Sequence, residues 1–155
     1  MNIVDEKYAE YTAGEKKIGE LHHRIAMQIG ITDSVMWTLH CLLEEDAIHT
    51  QNSIAVKMGV AKQTINSAVS WLMKQNYIYM EQLPMARNNK QILLTDTGKA
   101  FCKKYITPLV EAEERAFGRL SNEEQEIYLS LGIKHNQFQM EEFETLLTEL
   151  PGKAE

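Results

Sequence analysis

The stretch "TQNSIAVKMGVAKQTINSAVSWLMKQNYI", residues 50–78, decides the fold. Thr50 is a good N-cap for a short helix over residues 51–58, and Gly59 suits the left-handed residue that ends such a helix. After the connection Val60–Ala61, helical spacing predicts a second helix over residues 62–75, whose inward face is Ile65, Ala68, Val69, Leu72 and Met73. Two helices joined by a tight turn predict a helix-turn-helix.

The opposite face of this second helix is polar and built from short side chains: Lys62, Gln63, Thr64, Asn66 and Ser67. The major groove of B-DNA admits a helix whose first turns meet the base edges. The amides of Gln63 and Asn66 match the donor and acceptor pair of adenine, and Thr64 suits a phosphate or a thymine methyl group. Ser67 and Lys62 suit phosphates. The face therefore predicts a DNA-reading surface, with an ordinary solvated helix face as the alternative.

The flanking segments complete a winged helix-turn-helix. A long helix over residues 5–29 ends at Gly30, and a densely apolar helix over residues 33–44, N-capped by Asp33, is predicted to be buried in the middle of the fold. After the second helix of the turn, Tyr77–Leu83 and Gln91–Thr95 read as the strands of a hairpin. Two further helices are predicted, one running from "DTGKAF" (residues 96–101) to about Gly118, and one starting near Asn122 behind a Ser121–Glu124 capping box and ending by Pro151.

Charge and composition limit the class of protein. The chain has 155 residues and a net charge of −6, yet residues 50–95 hold five basic side chains against one acidic one. A basic middle between acidic flanks favours a nucleic-acid contact there over chance clustering of charges. No apolar run approaches the roughly 18–20 residues that span a bilayer, and the polar N-terminus is not a secretory signal, so we expect a cytoplasmic protein. No catalytic constellation appears, so neither an enzyme nor a cofactor is predicted.

Two further segments have the chemistry for DNA contacts. The start of the 51–58 helix, Thr50, Gln51 and Asn52, suits a phosphate at a helix N-terminus, with simple capping as the alternative. The hairpin tip is predicted to lie along a minor groove, where basic groups gain from the negative potential. Its residues are Arg87, Asn88, Asn89 and Lys90, and a merely solvated tip is the alternative.

The first helix places Glu15 and His22 on its otherwise apolar stripe, and His40 lies on the next helix. Three interpretations stay open: polar side chains satisfied at a dimer interface, a transition-metal site, or the polar part of an effector pocket. No fixed ligand spacing supports a metal. The effector-pocket candidates are Glu15, His22, Met27, Trp37 and His40. Cys41 and Cys102 are predicted to be buried small hydrophobic residues, and Met27, Met36, Met58 and Met73 are predicted to be core residues first.

The chain resembles the multiple-antibiotic-resistance regulator (MarR) family over about residues 5–148. The residues that carry the resemblance are Thr-Gln-x-x-aliphatic-Ala at 50–55, the glycine before the second helix, and "LLTDTGKAF" at 93–101. The family wing usually has Asp-x-Arg where this sequence has Ala86 and Asn88, with Arg87 one place away. The resemblance implies a dimeric bacterial transcription factor, usually a repressor, that a small molecule often releases from DNA, with the effector pocket between the dimer helices and the winged domain.

The expected fold is mainly α with a small β-hairpin wing. We expect a dimerisation helix at 1–32, the winged helix-turn-helix at 33–96, C-terminal dimerisation helices at 97–150 and a tail at 151–155. The expected function is a homodimeric repressor that binds a near-palindromic operator in double-stranded DNA, has no membrane contact and is released by a small-molecule effector. Two alternatives are a winged-helix protein-interaction module that has lost its DNA readout and a metal-responsive repressor.

Overall fold

The computed structural model describes residues 3–44, 46–84 and 90–151. Within these ranges the elements are α1 (Ile3–Ile29), α2 (Asp33–Leu42), α3 (Gln51–Met58), α4 (Lys62–Lys74), β1 (Ile78–Gln82), β2 (Lys90–Leu94), α5 (Asp96–Phe101), a π-helical turn (Cys102–Ile106), α6 (Thr107–Phe117) and α7 (Asn122–Glu149). The predicted class, mainly helical with one hairpin, is confirmed, and so is the order of the elements. No helix in the described ranges is long and apolar enough to cross a bilayer.

Local residues define both ends of α3, the first helix of the helix-turn-helix. The Thr50 hydroxyl accepts a hydrogen bond from the Ser53 amide, and the Ser53 hydroxyl accepts one from the Thr50 amide. Gly59 ends α3 in the left-handed conformation, with φ of 62°, which a residue without Cβ adopts at little strain. The chain then turns through Val60 and Ala61 and enters α4 as predicted.

The core of the winged domain surrounds α2. Six of its ten residues are buried, among them Met36 and Leu39, and α4 packs against it through Ile65, Ala68, Val69 and Leu72. The N-cap of α2 is Thr32, whose hydroxyl accepts from the Val35 amide, so the prediction of Asp33 as the cap was wrong. Asp33 is the first residue inside the helix, where its carboxylate lies 3.0 Å from Nδ1 of His23 on α1.

The hairpin is joined to the helix-turn-helix by a backbone hydrogen bond. β1 and β2 pair antiparallel, with Ile78 opposite Leu94 and Gln82 opposite Lys90, and Ile78 and Ile92 enter the core. The Ile92 amide donates to the carbonyl oxygen of His49 at 2.7 Å, which links β2 to the residue just before the α3 cap. The base of the hairpin is therefore held in place by both α3 and the core.

A close backbone approach positions the helix that follows the hairpin. Thr95 caps α5 by accepting from the Gly98 amide, and its hydroxyl donates to the carbonyl oxygen of Asn76 at 2.7 Å. A Cβ atom built on Gly98 would lie 1.9 Å from the carbonyl oxygen of Tyr77, so only glycine fits there. The helix predicted from residue 96 to Gly118 is present, but a π turn that no pattern in the sequence indicates interrupts it at Cys102–Ile106.

By internal packing the chain divides into two units, the first ending at Val110 and the second starting at Glu111. The second unit holds the end of α6 and all of α7, which opens with the predicted Ser121–Glu124 capping box. Within that unit the ring centroids of Phe117 and Tyr128 lie 6.1 Å apart, and α7 has no buried residue. The proposed division at residues 32, 96 and 150 stays a prediction.

Candidate nucleic-acid interface

Helix α4 separates its side chains into two faces. Its buried residues anchor it in the core, while every predicted contact residue on the other side is exposed: Lys62, Gln63, Thr64, Asn66 and Ser67. The inward set is right except for Met73, which is 47% exposed because it lies at the edge of the apolar arc. Four buried side chains therefore hold the exposed face of α4 at a fixed orientation. A surface that binds a rigid partner needs such a fixed orientation.

The first turn of α4 lacks a side-chain cap. Its N-cap is Ala61, so the amide groups at the start of the helix have no side-chain acceptor. Ser67 differs from its neighbours, because its hydroxyl donates to the carbonyl oxygen of Gln63 at 3.1 Å. In this rotamer Ser67 offers lone pairs and no proton, so it suits an amino group of a base better than a phosphate oxygen.

The other predicted contacts are only partly described. Thr50 is half-buried and its hydroxyl is occupied in the α3 cap, whereas Gln51 is half-buried and Asn52 is exposed in the first turn. Lys90 is exposed at the start of β2. Arg87, Asn88 and Asn89, the rest of the predicted wing contact, lie outside the described residues. Among the described residues, most of the predicted DNA contacts therefore lie on α4 and in the first turn of α3.

One basic side chain near this surface is already paired. The Lys57 ammonium donates a hydrogen bond to Oε1 of Glu44, which lowers the pKa of the Glu44 carboxyl and raises the pKa of Lys57. Both side chains are about half exposed, so the pair stabilises the fold little. The other basic side chains between residues 50 and 95 that the structure describes are Lys62, Lys74 and Lys90, and all three are exposed.

Three of the five effector-pocket candidates come together. The ring centroids of His22 and Trp37 lie 4.9 Å apart, and those of Trp37 and His40 lie 5.4 Å apart, across α1 and α2. Glu15 is exposed on α1, two turns before His22. Met27 is 66% exposed and lines a separate groove of about 510 Å³ against Ser67 and Trp71 of α4. The prediction of Met27 as a core residue was therefore wrong. Neither Glu15 nor Met27 is shown in contact with the three rings of His22, Trp37 and His40.

The described residues contain no group of three His, Cys, Asp or Glu side chains placed to hold a metal ion. Glu44, the carboxylate four residues after His40, is bound to Lys57. The metal-responsive alternative therefore has no supporting geometry among these residues.

Both cysteines are buried, as predicted. Burial raises the pKa of the Cys102 thiol from 9.0 to about 11, and burial is also the main cause that raises the pKa of Cys41. At pH 8 a rise of this size leaves about 100-fold less of the reactive thiolate at Cys102. The two thiols therefore pack as small apolar groups.

We expect iodoacetamide at pH 8 to alkylate Cys102 in the native protein at least about 100-fold more slowly than in the guanidinium-unfolded chain. Intact-mass spectrometry over time measures both rates, and peptide mapping assigns them to Cys41 or Cys102. Rapid modification of one thiol in the native protein would contradict the assignment of these cysteines as buried structural residues.

Two features of this domain were not predicted from the sequence. A row of rings connects α4 to the π turn: Trp71 and Tyr77 at 6.1 Å, Tyr77 and Phe101 at 4.6 Å, and Phe101 and Tyr105 at 4.9 Å. In addition, Lys99 and Lys103 line a cleft beside the hairpin. The only signal in the sequence was the four-residue spacing of the lysines, which is common on exposed helix faces.

The described fold matches solved structures of transcriptional regulators. NMB1585, a MarR family regulator from Neisseria meningitidis, has a TM-score of 0.69 at 18% identity, covering 94% of this chain and 99% of that one. MepR from Staphylococcus aureus in complex with DNA has a TM-score of 0.62 at 22% identity, covering 86% and 94%. PcaV from Streptomyces coelicolor in complex with its natural ligand has a TM-score of 0.58 at 17% identity, covering 79% and 89%. No protein-family model matches the sequence, and no curated protein matches it. The likeness establishes a winged-helix fold of the MarR type.

Proposed function

We propose that this chain is a MarR family transcriptional regulator, a homodimeric repressor that binds a near-palindromic operator in double-stranded DNA. The observation that carries the proposal is the exposed polar face of α4, which a buried apolar face fixes within a winged helix-turn-helix. The similarity to MepR, solved in complex with DNA, supports it. The proposal assigns no catalytic role to any residue.

In this proposal α4 enters the major groove with its N-terminal turns toward the bases. Gln63 and Asn66 read base edges through their amides, and Thr64 lies against a phosphate or a thymine methyl group. Lys62, Thr50, Gln51 and Asn52 contact phosphates on either side of the groove, since helix N-termini and ammonium groups both attract anions. Lys90, the first residue of β2 at the tip end of the strand pair, approaches the neighbouring minor groove together with Arg87, Asn88 and Asn89.

The homodimer is supported by apolar side chains that each unit leaves exposed. Ten of them on α1 and α7 are 48–69% exposed: Tyr8, Tyr11, Ile18, Leu21, Ile127, Leu131, Phe138, Phe143, Leu146 and Leu147. Monomeric proteins rarely leave so many large apolar groups in water, and a second copy with the same faces is the most economical cover. A twofold dimer presents two copies of α4, which we expect to be roughly 34 Å or a near multiple apart.

Effector control forms the second half of the proposal. The cluster of His22, Trp37 and His40 combines aromatic surface with titratable nitrogens, which suits a small ligand bearing a polar group. PcaV, which shares the fold, was solved with its natural ligand. The dimer has a DNA-binding form and a form in which the spacing of the two α4 helices does not fit DNA. A ligand that binds the second form more tightly shifts the population toward it and so releases DNA.

The experiment is a titration of the purified protein against its own upstream intergenic DNA, with random DNA of equal length as the control, at two salt concentrations. We expect the upstream fragment to bind at least about 10³-fold more tightly. Affinity for both DNAs is expected to fall steeply with salt, because each neutralised phosphate releases counterions. Equal weak binding to both DNAs would contradict a specific regulator and favour the protein-interaction module.

A further inference from the structure

The line of α4 that points directly away from the core starts with two polar side chains, Gln63 and Ser67. Successive helical residues are turned by roughly 100°, so Gln63 lies opposite the buried set of α4 and Ser67 follows one turn later on the same side. Both are exposed, and so is Asn66, which lies beside them on one flank of this line. These three side chains therefore form the centre of the face that α4 presents to a partner.

The hydrogen-bonding groups at this centre include an acceptor oxygen on every side chain. The Ser67 hydroxyl donates its proton to the carbonyl oxygen of Gln63 at 3.1 Å, so only its lone pairs are left for a partner. The amides of Gln63 and Asn66 each offer one carbonyl oxygen as acceptor and one amino group as donor. A base edge that fits this centre must therefore supply hydrogen-bond donors as well as acceptors.

Guanine does not meet that requirement. It presents two acceptors, O6 and N7, to the major groove, and its usual partner is an arginine or a lysine. Helix α4 contains no arginine, and its two lysines are its first and last residues. Lys62 is turned roughly 100° away from Gln63, and Lys74 lies about three turns beyond it. A guanine under the centre of the face would place its acceptors against the lone pairs of Ser67.

Adenine has the matching pattern, because it presents the N7 acceptor beside the N6 amino donor. One N6 hydrogen pairs with thymine, and the other points into the major groove. Gln63 and Asn66 are three residues apart, which separates them by roughly 4.5 Å along the helix axis. Neighbouring bases of one strand are roughly 3.4 Å apart along the duplex. The two amides are therefore spaced to meet adenines in nearby base pairs.

We propose that α4 reads adenines in each half of the operator, the half-site, through the N6 hydrogen that points into the major groove. The inference rests on the proposed function. Gln63 and Asn66 each accept this hydrogen and donate to N7, while Ser67 accepts from a neighbouring amino group. Methylation of N6 replaces the hydrogen by a carbon atom, which removes the donor and fills the space that the amide needs. Binding of this regulator to its operator therefore responds to adenine methylation of the DNA.

The first step of the test selects the probe. A library of DNA duplexes with a random central segment is selected on the full-length protein and sequenced. We expect enriched half-sites with two adenines within about two base pairs of each other, because the axial spacing of the two amides is that short. We expect Gln63→Glu to replace one of these adenines by cytosine, since a carboxylate accepts from N4 of cytosine and has no donor for N7.

The second step measures the effect of methylation by fluorescence anisotropy. The enriched duplex is compared with the same duplex carrying N6-methyladenine in its half-sites, and each methyl group is expected to weaken binding roughly 5-fold to 150-fold, the range for one bidentate amide contact. The same modified base placed only outside the half-sites is the DNA control, and we expect it to leave the affinity unchanged.

Matched protein variants assign the effect to single side chains. Gln63→Ala and Asn66→Ala are each expected to bind more weakly and to lose sensitivity to one of the methyl groups, because the contact that the methyl group blocks no longer exists. Ser70→Ala, one turn further along α4, is expected to keep the full sensitivity. All three positions are exposed, and unchanged melting temperatures verify folding.

Three results would overturn this inference while the proposed function stands: enriched half-sites that require guanine in place of adenine, equal affinity for the methylated and unmethylated duplexes, or full methyl sensitivity in both alanine variants. The last result would mean that a residue other than Gln63 or Asn66 meets N6. A library in which no sequence is enriched would refute the proposed function, and this inference with it.

Discussion

A variant that carries Gln63→Ala, Asn66→Ala and Ser67→Ala is expected to lose roughly 30-fold to 10⁴-fold in affinity for its operator while it keeps its weak binding to random DNA. Each bidentate amide–adenine contact discriminates by roughly 1–3 kcal/mol, and two such contacts are removed. At 1.4 kcal/mol per tenfold change, the loss is between one and a half and about four decades. The phosphate contacts of Lys62 and the α3 N-terminus remain, so binding without sequence preference persists.

The three substitutions leave the core untouched, because all three side chains are exposed and alanine is the best helix former. Ser70→Ala with Gln75→Ala is the matched control, since both residues are exposed polar positions in the C-terminal half of α4 and at its end. Fluorescence anisotropy with labelled operator and random duplexes measures both affinities. If the triple variant keeps its operator preference, α4 does not read the sequence and the proposal for this face fails.

Replacing Gly98 by alanine is expected to destabilise the fold by at least about 3 kcal/mol, at the upper end of overpacking substitutions. The new Cβ would lie 1.9 Å from the carbonyl oxygen of Tyr77 and 2.8 Å from its carbonyl carbon. These are backbone atoms, so no side-chain rotation relieves the clash. Separating them also strains the hydrogen bonds of the Thr95 cap to Asn76 and Gly98. For a chain of this length we expect the melting temperature to fall by roughly 6–12 °C.

Gly132→Ala is the control for this substitution. Gly132 lies inside α7, and a Cβ there meets nothing within 4 Å, so alanine is expected to stabilise the helix by roughly 0.5–1 kcal/mol. Differential scanning calorimetry on both variants shows whether the melting temperature falls for Gly98→Ala and rises for Gly132→Ala. A Gly98→Ala protein that melts at the same temperature as the parent would mean that Gly98 does not approach the Tyr77 backbone as closely as described.

The elements around α3 and α4 were predictable because local chemistry alone determines them. Thr50 and Gly59 specify the ends of α3 through bonds and a backbone conformation within a few residues. The N-cap of α2 was not predictable in the same way. Thr32 and Asp33 are both good caps, and the choice agrees with a contact from another helix, the imidazole of His23 on the Asp33 carboxylate.

Errors in burial came from the edges of helical faces. Periodicity gives the angle of Met27 and Met73 around their helices, but whether a neighbouring element covers that angle depends on tertiary packing. The π turn at Cys102–Ile106 has no sequence signature of comparable strength. Among the effector-pocket candidates, only His22, Trp37 and His40 lie in one ring cluster, because distance in space, rather than a shared stripe, decides which side chains meet.

The hydrogen bond from the Ile92 amide to the His49 carbonyl closes the chain between these residues into a loop that contains α3, α4 and β1. Because both groups belong to the backbone, substitution of either side chain leaves the bond available, and only proline at position 92 removes its donor. The exposed side chains of α4 and of the two strands can therefore be substituted while this backbone link is preserved. The exposed recognition residues of the domain are therefore able to evolve independently of the backbone hydrogen bond that holds α3 and β2 together.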